Sequence, residues 1–371
     1  MRVLLFTRSL DTGGAERQLV LLAKTLHSRG VPVAVMVYYG NGPFRSELDD
    51  AGVAVINIGK SGRWDVIRFA FRVVQSIRQF EPDVIYSFMG ANIIATCLKS
   101  FFGGAKVVWG VRSSDMDLSQ YDWLSRLFDR FAIGLSRFAA AIICNSERGR
   151  EHIIRQGYAN SAITVIHNGI DLDRFMHTAS SRQARLSGWG VPGERVVLGI
   201  MARIDAMKDH ATLLEAVKRV LEVHSNVHLV CVGSGDAKLQ ARLIQQTASL
   251  GIQHSVHWVG HSSEPFKDYS AFDVLVSSSM TEAFPNVIGE AMACGLPVVA
   301  TDVGDCGRIV CDCGWIVPPK KPEALAAAIG QAIAALPNWP AQRSRKRIQE
   351  NFSVDAMADQ TLSVLDAAVK S

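Results

Sequence analysis

With 371 residues, 48% of them apolar, the chain is long enough for two domains with separate cores and too apolar to be disordered. Its 39 basic and 35 acidic residues leave a formal charge of +4, too mild a surplus to support nucleic-acid binding, so any basic function is local.

The opening MRVLLFTRSL is apolar only from Val3 to Phe6, and reads as a first strand, not an exported leader. β-rich runs then alternate with helical patterns. In order these are RVLLFT, a helix over about 14–29, VPVAVMVYY, AVINI, a helix over about 64–80, DVIYSF and a helix near 91–101. KVVWGVR, a helical stretch near 119–138, AAIICNS, a helix near 147–157 and ITVIHNG follow. This alternation predicts a parallel, doubly wound α/β sheet. The polar stretch 171–192 reads as a linker, after which the series restarts. It runs through VVLGIMA, a helix over about 209–223, VHLVCVG, a helix over about 236–250, VHWVG, DVLVSSS, a helix after Pro285, PVVATDV and WIVPP. Two Rossmann-like domains are expected, over 1–170 and 193–350, with a ligand cleft between them. A C-terminal helix within 351–371 could pack back on the first domain. No run reaches the roughly 18 apolar residues that a spanning helix needs. Seven cysteines without a repeated pair spacing read as reduced thiols of a cytoplasmic protein.

Four segments of the second domain follow strands and can converge. Arg203 and Lys208 share one strand-to-helix loop, where they would clamp a diphosphate or be two solvated loop cations. In TEAFPNVIGEAMACG, Glu282 and Glu290 are eight residues apart, which on one helix would set them roughly 80° apart. One of them therefore precedes the helix. Pro285 suits a helix start and Gly295 a C′ position, giving a helix over about 286–294. Its first amides, from Asn286 to Ile288, would face an anion, with Glu290 one turn in against ribose hydroxyls and Glu282 near whatever the phosphate carries. Gly233 and Gly235 would admit a base or sugar edge, or would make only a tight turn. The end of the Trp258-Val259-Gly260 strand could form a rim.

The E-x7-E frame, the Arg203/Lys208 pair, GGAERQL in the first strand-to-helix loop and VIHNGIDLDRF at the crossover together resemble the retaining glycosyltransferases of family 4. These have the GT-B architecture, two Rossmann-like domains facing across a cleft. The resemblance spans nearly the whole chain and implies a hexosyltransferase. Arg203 and Lys208 would hold the donor diphosphate and stabilise the leaving nucleotide, and Glu290 would bind the ribose. Glu282, with the amides of Phe284, Asn286 and Val287, would hold the transferred sugar and phosphates. Gly13 and Gly14 would let the first-domain loop approach the reacting sugar, the plainer alternative being that GGAE is only a permissive turn opening a helix. No carboxylate stands out for a double displacement, so front-face displacement with retention is expected, without metal or other cofactor. A nucleotide-sugar donor with UDP as its nucleotide is expected, GDP remaining open, and the acceptor is a saccharide.

Many family members have a histidine where this chain has Arg112, followed by Ser113, Ser114 and Asp115. Arg112 or Asp115 could take over the sugar contact, or the pair could be a structural loop bridge. The strings Asp115-Met-Asp117 and Asp171-Leu-Asp173 are open to metal binding but unneeded beside Arg203 and Lys208. Cys306, Cys311 and Cys313 lack the C-x2-C spacing of zinc sites. His167 reads as a hinge hydrogen-bonder. Residues 60–80 carry Lys60, Arg63, Arg68, Arg72 and Arg78 against Asp65, a local +4 interleaved with Trp64, Phe69, Phe71, Ile77 and Phe80. This is either a helix covering the sheet with its arginines in water or a basic amphipathic helix on an anionic bilayer. The second reading would make the acceptor a lipid-linked saccharide in polysaccharide or glycoconjugate assembly at the inner face of the membrane. A sugar-nucleotide 2-epimerase of the same architecture and a two-lobed sugar-binding protein are the alternatives.

Overall fold

The computed structural model describes residues 1–62, 64–112, 123–158, 163–193 and 195–371, with backbone alone at 123–129 and 179. Arg63, Asp115 and Asp117 lie outside the described residues. The chain forms two compact units, Met1–Gly169 with Val354–Ser371, and Ile170–Ser353.

The first unit alternates β1 (Val3–Thr7), α1 (Gly14–Ser28), β2 (Val33–Val37), α2 (Arg45–Asp50), β3 (Ala54–Asn57), α3 (Val66–Phe80), β4 (Val84–Phe88) and α4 (Gly90–Leu98). It continues with β5 (Lys106–Val111), α5 (Trp123–Ser136), β6 (Ala141–Cys144), α6 (Glu147–Arg155) and β7 (Ile163–Val165). The strands pair in parallel in the order β3-β2-β1-β4-β5-β6-β7. β1, β2 and β4 are buried along their whole length. That explains their unbroken apolar runs, since helices cover both faces of such a sheet. Ser87, Asn92 and Thr96 are buried among them without cost in unmade hydrogen bonds. Ser87 Oγ donates to Asn92 Oδ1 at 2.8 Å, Asn92 Nδ2 to the Gly110 carbonyl at 3.2 Å, and Trp109 Nε1 to Thr96 Oγ1 at 2.8 Å. This network ties α4 to the ends of β4 and β5.

The second unit begins with α7 (Ala179–Gly188), inside the stretch expected to be a linker. The helix is held there because Arg182 bridges Asp273 at 2.9 Å and Arg185 bridges Asp268 at 3.1 Å, while Leu186 enters the core. There follow β8 (Val196–Met201), α8 (His210–Leu221), β9 (Val227–Val232), α9 (Ala237–Ser249), β10 (Val256–Gly260), α10 (Pro265–Asp268), β11 (Val274–Ser277) and α11 (Asn286–Ala293). Then come β12 (Val298–Thr301), α12 (Cys306–Val310), β13 (Gly314–Val317), α13 (Pro322–Ala335) and α14 (Ala341–Asn351). The strands pair in parallel in the order β10-β9-β8-β11-β12-β13. Arg345 on α14 donates to the carbonyls of Leu172, Phe175 and Ala293, fixing the crossover segment to the last turn of α11.

The chain leaves the first unit after Gly169 and returns at Val354, where α15 (Val354–Lys370) packs on α1 through Met357, Ala358, Leu365 and Ala368. Arg29 bridges Asp355 and Asp359 at 2.6 Å each. Gly169 is held by Gln18, which is 1% exposed: its Nε2 donates to the Gly169 carbonyl at 3.0 Å and its Oε1 accepts from the Gly169 amide at 2.7 Å. A Cβ at 169 would lie 2.7 Å from the Cα of Val354, so only glycine fits.

Candidate active site

Strand order reverses between β1 and β4 in the first sheet and between β8 and β11 in the second. Such switch points open a crevice beyond the carboxyl ends of the strands. In the second unit two chemistry-bearing loops leave the sheet there, one after β8 and one after β11.

The first loop is shaped by its own aspartates. Asp205 caps the short 3-10 turn Ala206–Lys208 by accepting from the Met207 amide at 2.9 Å. Asp209, at φ 44° and ψ 50°, caps α8 by accepting from the Thr212 amide at 3.2 Å and from Thr212 Oγ1 at 2.7 Å. The second loop is stitched to the first, since Met280 N donates to the Met207 carbonyl at 2.7 Å and Ser278 Oγ to the Lys208 carbonyl at 2.8 Å. Thr301, at the end of β12, donates to the Ser279 carbonyl at 2.6 Å. The Glu282 backbone is crowded by Gly304, whose φ is +56° and whose Cβ would stand 2.4 Å from the Glu282 carbonyl.

The result is a close pair. Lys208 Nζ lies 2.5 Å from Glu282 Oε1, the same oxygen that accepts from Ser279 Oγ at 2.7 Å. Their side chains are 20% and 13% exposed, so the ion pair is largely out of water. Cys306 is buried nearby, and burial, reinforced by the charge of Glu282, pushes its thiol well above the ordinary range. Arg203 is 75% exposed and pairs with Asp205 at 3.2 Å. It stands at the solvent edge of the loop that presents Lys208.

Helix α11 spans Asn286–Ala293, so Glu282 precedes it and Glu290 lies within it. Pro285 is the N-cap and Gly295, at φ +82°, follows the Cys294 C-cap. The amino end of α11 therefore carries partial positive charge next to the loop bearing Glu282. Glu290 Oε2 accepts from the hydroxyl of Tyr269 at 2.7 Å. Tyr269 is fully buried, and burial together with that carboxylate raises its phenol far above the usual range, keeping it a neutral donor. Phe284 packs in the core against Phe352 at 5.5 Å, so only its backbone is available to a ligand. Val287 is partly buried against the same core.

Gly233 and Gly235 sit in a turn packed tightly against the chain itself. A Cβ at Gly233 would sit 1.9 Å from the Ala202 carbonyl and one at Gly235 2.2 Å from the Ile204 carbonyl. The close approach these glycines allow to the chain's own loop after β8 accounts for both. The rim around Val259 is tied to the same turn, because Gly233 N donates to the Gly260 carbonyl at 2.7 Å.

In the first unit, Gly13 is the N-cap of α1, with extended backbone at φ −160°, and Gly14 opens the helix. The Glu16 carboxylate folds back over this turn, 2.1 Å from where a Gly13 Cβ would be. Met89, at the end of β4 on the switch point, holds φ 54° and ψ −126° while 58% exposed. Such backbone strain gathers at functional turns. Arg112, at the end of β5, donates through Nη1 to Asn168 Oδ1 at 2.5 Å and lies over the Phe88 ring at 5.2 Å. It is thereby fixed to the segment that follows β7 in its own unit, while Asp115 lies outside the described residues.

Among the described residues no three histidine, cysteine or acidic side chains converge as metal ligands. Cys306, Cys311 and Cys313 are free thiols. Sequence reading missed Gln18, Met89, Tyr269, Ser279 and Gly304. Gln18 and Gly304 lay within the recognised motifs, whereas nothing in the spacing marked the other three.

Two family models match consecutive parts of the chain, Glycosyltransferase Family 4 over residues 12–174 and Glycosyl transferases group 1 over residues 195–335. The lipopolysaccharide core biosynthesis glycosyltransferase LpsE of Rhizobium meliloti (strain 1021) is 28% identical, over 95% of this chain and 96% of its own length. The putative glycosyltransferase EpsF of Bacillus subtilis (strain 168) is 23% identical, over 81% of this chain and 79% of its own. Among solved structures, Anabaena Alr3699/HepE in complex with UDP superposes with a TM-score of 0.86 at 24% identity, covering 99% of this chain and all of that one. The fold is thus two Rossmann-like units with GT-B neighbours, and the chain is a glycosyltransferase, a member of family 4 within the glycosyl transferases group 1.

Proposed function

We infer that this glycosyltransferase takes a UDP-sugar, works without a metal and transfers the sugar with retention to a saccharide carried on a lipid, at the inner face of the membrane. The observation that carries the reading is the Lys208–Glu282 pair at the second switch point, beside the amino end of α11 and within one loop of Arg203. Lys208, Arg203 and the helix end supply the positive charge that a departing diphosphate needs, the role a divalent ion plays elsewhere. Anabaena HepE, which was crystallised with UDP and with UDP-glucose, supports the choice of nucleotide. LpsE, named for lipopolysaccharide core biosynthesis, supports the acceptor class.

In the proposed step the bond between the sugar anomeric carbon and the β-phosphate oxygen breaks, and both electrons leave with UDP. The acceptor hydroxyl forms the new bond on the same face and its proton passes to the departing phosphate oxygen. Glu282, held by Ser279 and Lys208, orients the sugar hydroxyls. Glu290, held by Tyr269, takes the ribose. The test is calorimetric titration with UDP, GDP and ADP in EDTA and again with magnesium. Micromolar binding of UDP in EDTA is expected; binding that needs magnesium, or preference for another nucleotide, overturns the corresponding part of the reading.

A further inference from the structure

Exposed large apolar side chains gather on one layer of the first unit. Ile67 and Phe71 on α3 are 85% and 69% exposed, and Trp64, just before the helix, is 90% exposed. At 100° per residue, Ile67, Phe71 and Arg78 lie within about 40° of one another. The opposite face, Phe69, Val73 and Ile77, is buried on the sheet. Helix α3 is thus apolar on both sides, and the outer side faces solvent.

The same character continues onto the neighbouring elements. Arg78 Nε donates to the carbonyl of Phe101 at 3.0 Å, and Lys99 Nζ donates to the carbonyl of Phe138 at 3.1 Å while lying 5.3 Å from its ring centre. Arg137 also lies over the Phe138 ring, at 5.8 Å. Phe101 and Phe138 are both half exposed. The acid leading into α3, Asp65, is matched by Arg72 at 2.5 Å, so Arg68, Arg78, Lys99 and Arg137 leave the band net positive.

Large rings interleaved with cations match one environment closely, the headgroup region of an anionic bilayer, where amphipathic rings settle and each cation meets lipid phosphate. Among the described residues no helix is long and apolar enough to cross a membrane, so the contact would be a surface one. We propose that this band of α3, Phe101 and Phe138 seats the first unit on an anionic membrane surface, Trp64, Ile67 and Phe71 entering the headgroup layer. Its purpose rests on the lipid-borne acceptor inferred above, but its test reads membrane binding alone.

The experiment is flotation of the full chain with vesicles of phosphatidylcholine, with and without phosphatidylglycerol, for wild type, Ile67→Glu/Phe71→Glu and Phe101→Ser/Phe138→Ser. Thermal unfolding and UDP titration of each variant report its folding. Wild type should partition onto the anionic vesicles at least about tenfold more than onto neutral ones. The α3 variant should lose about tenfold or more of that binding while unfolding as wild type does, and the second variant should lose less. Equal binding to both vesicles, or unchanged binding of the α3 variant, overturns the proposal. So does a wild-type dimer in sedimentation equilibrium that the α3 substitutions dissolve without any vesicle binding. Vesicle binding without UDP binding would sink the nucleotide reading and leave this surface standing; the reverse pattern would sink the surface alone.

Discussion

Substituting Lys208 by methionine separates what the Lys208–Glu282 pair does for stability from what it does for chemistry. Breaking a fully buried ion pair by removing one partner costs roughly 3–5 kcal/mol, because the other charge is left without compensation. Here the side chains keep 20% and 13% of their exposure and Ser279 still donates to Glu282, so about 2–3 kcal/mol is expected. In a unit the size of Ile170–Ser353 that corresponds to a Tm drop of roughly 5–10 °C. Adding Glu282→Gln removes the orphaned charge while the amide oxygen still accepts from Ser279, so the double variant should recover to within about 1 kcal/mol of wild type. Turnover behaves differently, since either variant lacks the cation proposed to face the leaving phosphate, and both should fall by about 10²–10³-fold. The assay is a thermal-unfolding double-mutant cycle run beside UDP-sugar turnover. A single variant as stable as wild type, or a double variant less stable than the single, would refute the desolvated pair. Recovered turnover in the double variant would remove the pair from the chemistry.

Tyr269→Phe should raise the donor KM by about 5–30-fold and leave kcat within about twofold, because it removes one hydrogen bond that orients the Glu290 carboxylate without touching the phosphate end. A kcat loss with unchanged KM would argue against a positioning role. Arg203→Ala should lower kcat/KM by about 10²–10³-fold with no change in Tm, its side chain being exposed and paired only with Asp205 among the described residues; near-wild-type turnover would take it out of the site. His210 is held neutral by burial, its imidazole pushed down from 6.5 to about 4. Above pH 6.5 both folded and unfolded chains carry it uncharged, whereas below that only the unfolded chain gains the proton. Stability is therefore lost as pH falls from 6.5 towards 4, by about 3 kcal/mol at the acid end. Urea unfolding of His210→Leu beside wild type across that range should show the difference in slope, and parallel curves would refute it.

The E-x7-E stretch was legible because its punctuation is local. Proline at the start and glycine at the end fix α11, and an eight-residue interval cannot place both glutamates on one helix face. The alternation of buried strands and amphipathic helices was legible for the same reason, each element announcing its own period. What was not legible depends on partners distant in sequence. Helix α7 was read as a linker because its polar composition is satisfied by Asp268 and Asp273, some 80 to 90 residues later. Lys208 meets Glu282 only because β8 and β11 are neighbours in the sheet, a fact of strand order and not of spacing. Tyr269 precedes β11 and Glu290 follows it, 21 residues on, an interval that no helix or strand period marks. The glycines of CVGSGD left two readings open because a backbone close approach looks the same in sequence whether its object is a ligand or the chain itself. On α3, composition gave both an inner apolar face and an outer one, and only the fold distinguishes them.

The central claim is that the switch-point cluster of the second unit grips the diphosphate of a nucleotide. The most direct test compares the affinities of UDP and UMP, in EDTA, for wild type and for Arg203→Ala/Lys208→Met. Wild type should bind UDP at least tenfold more tightly than UMP, and the variant should lose that gap while its UMP affinity changes less than about threefold. A variant that keeps the full preference for UDP would contradict the claim.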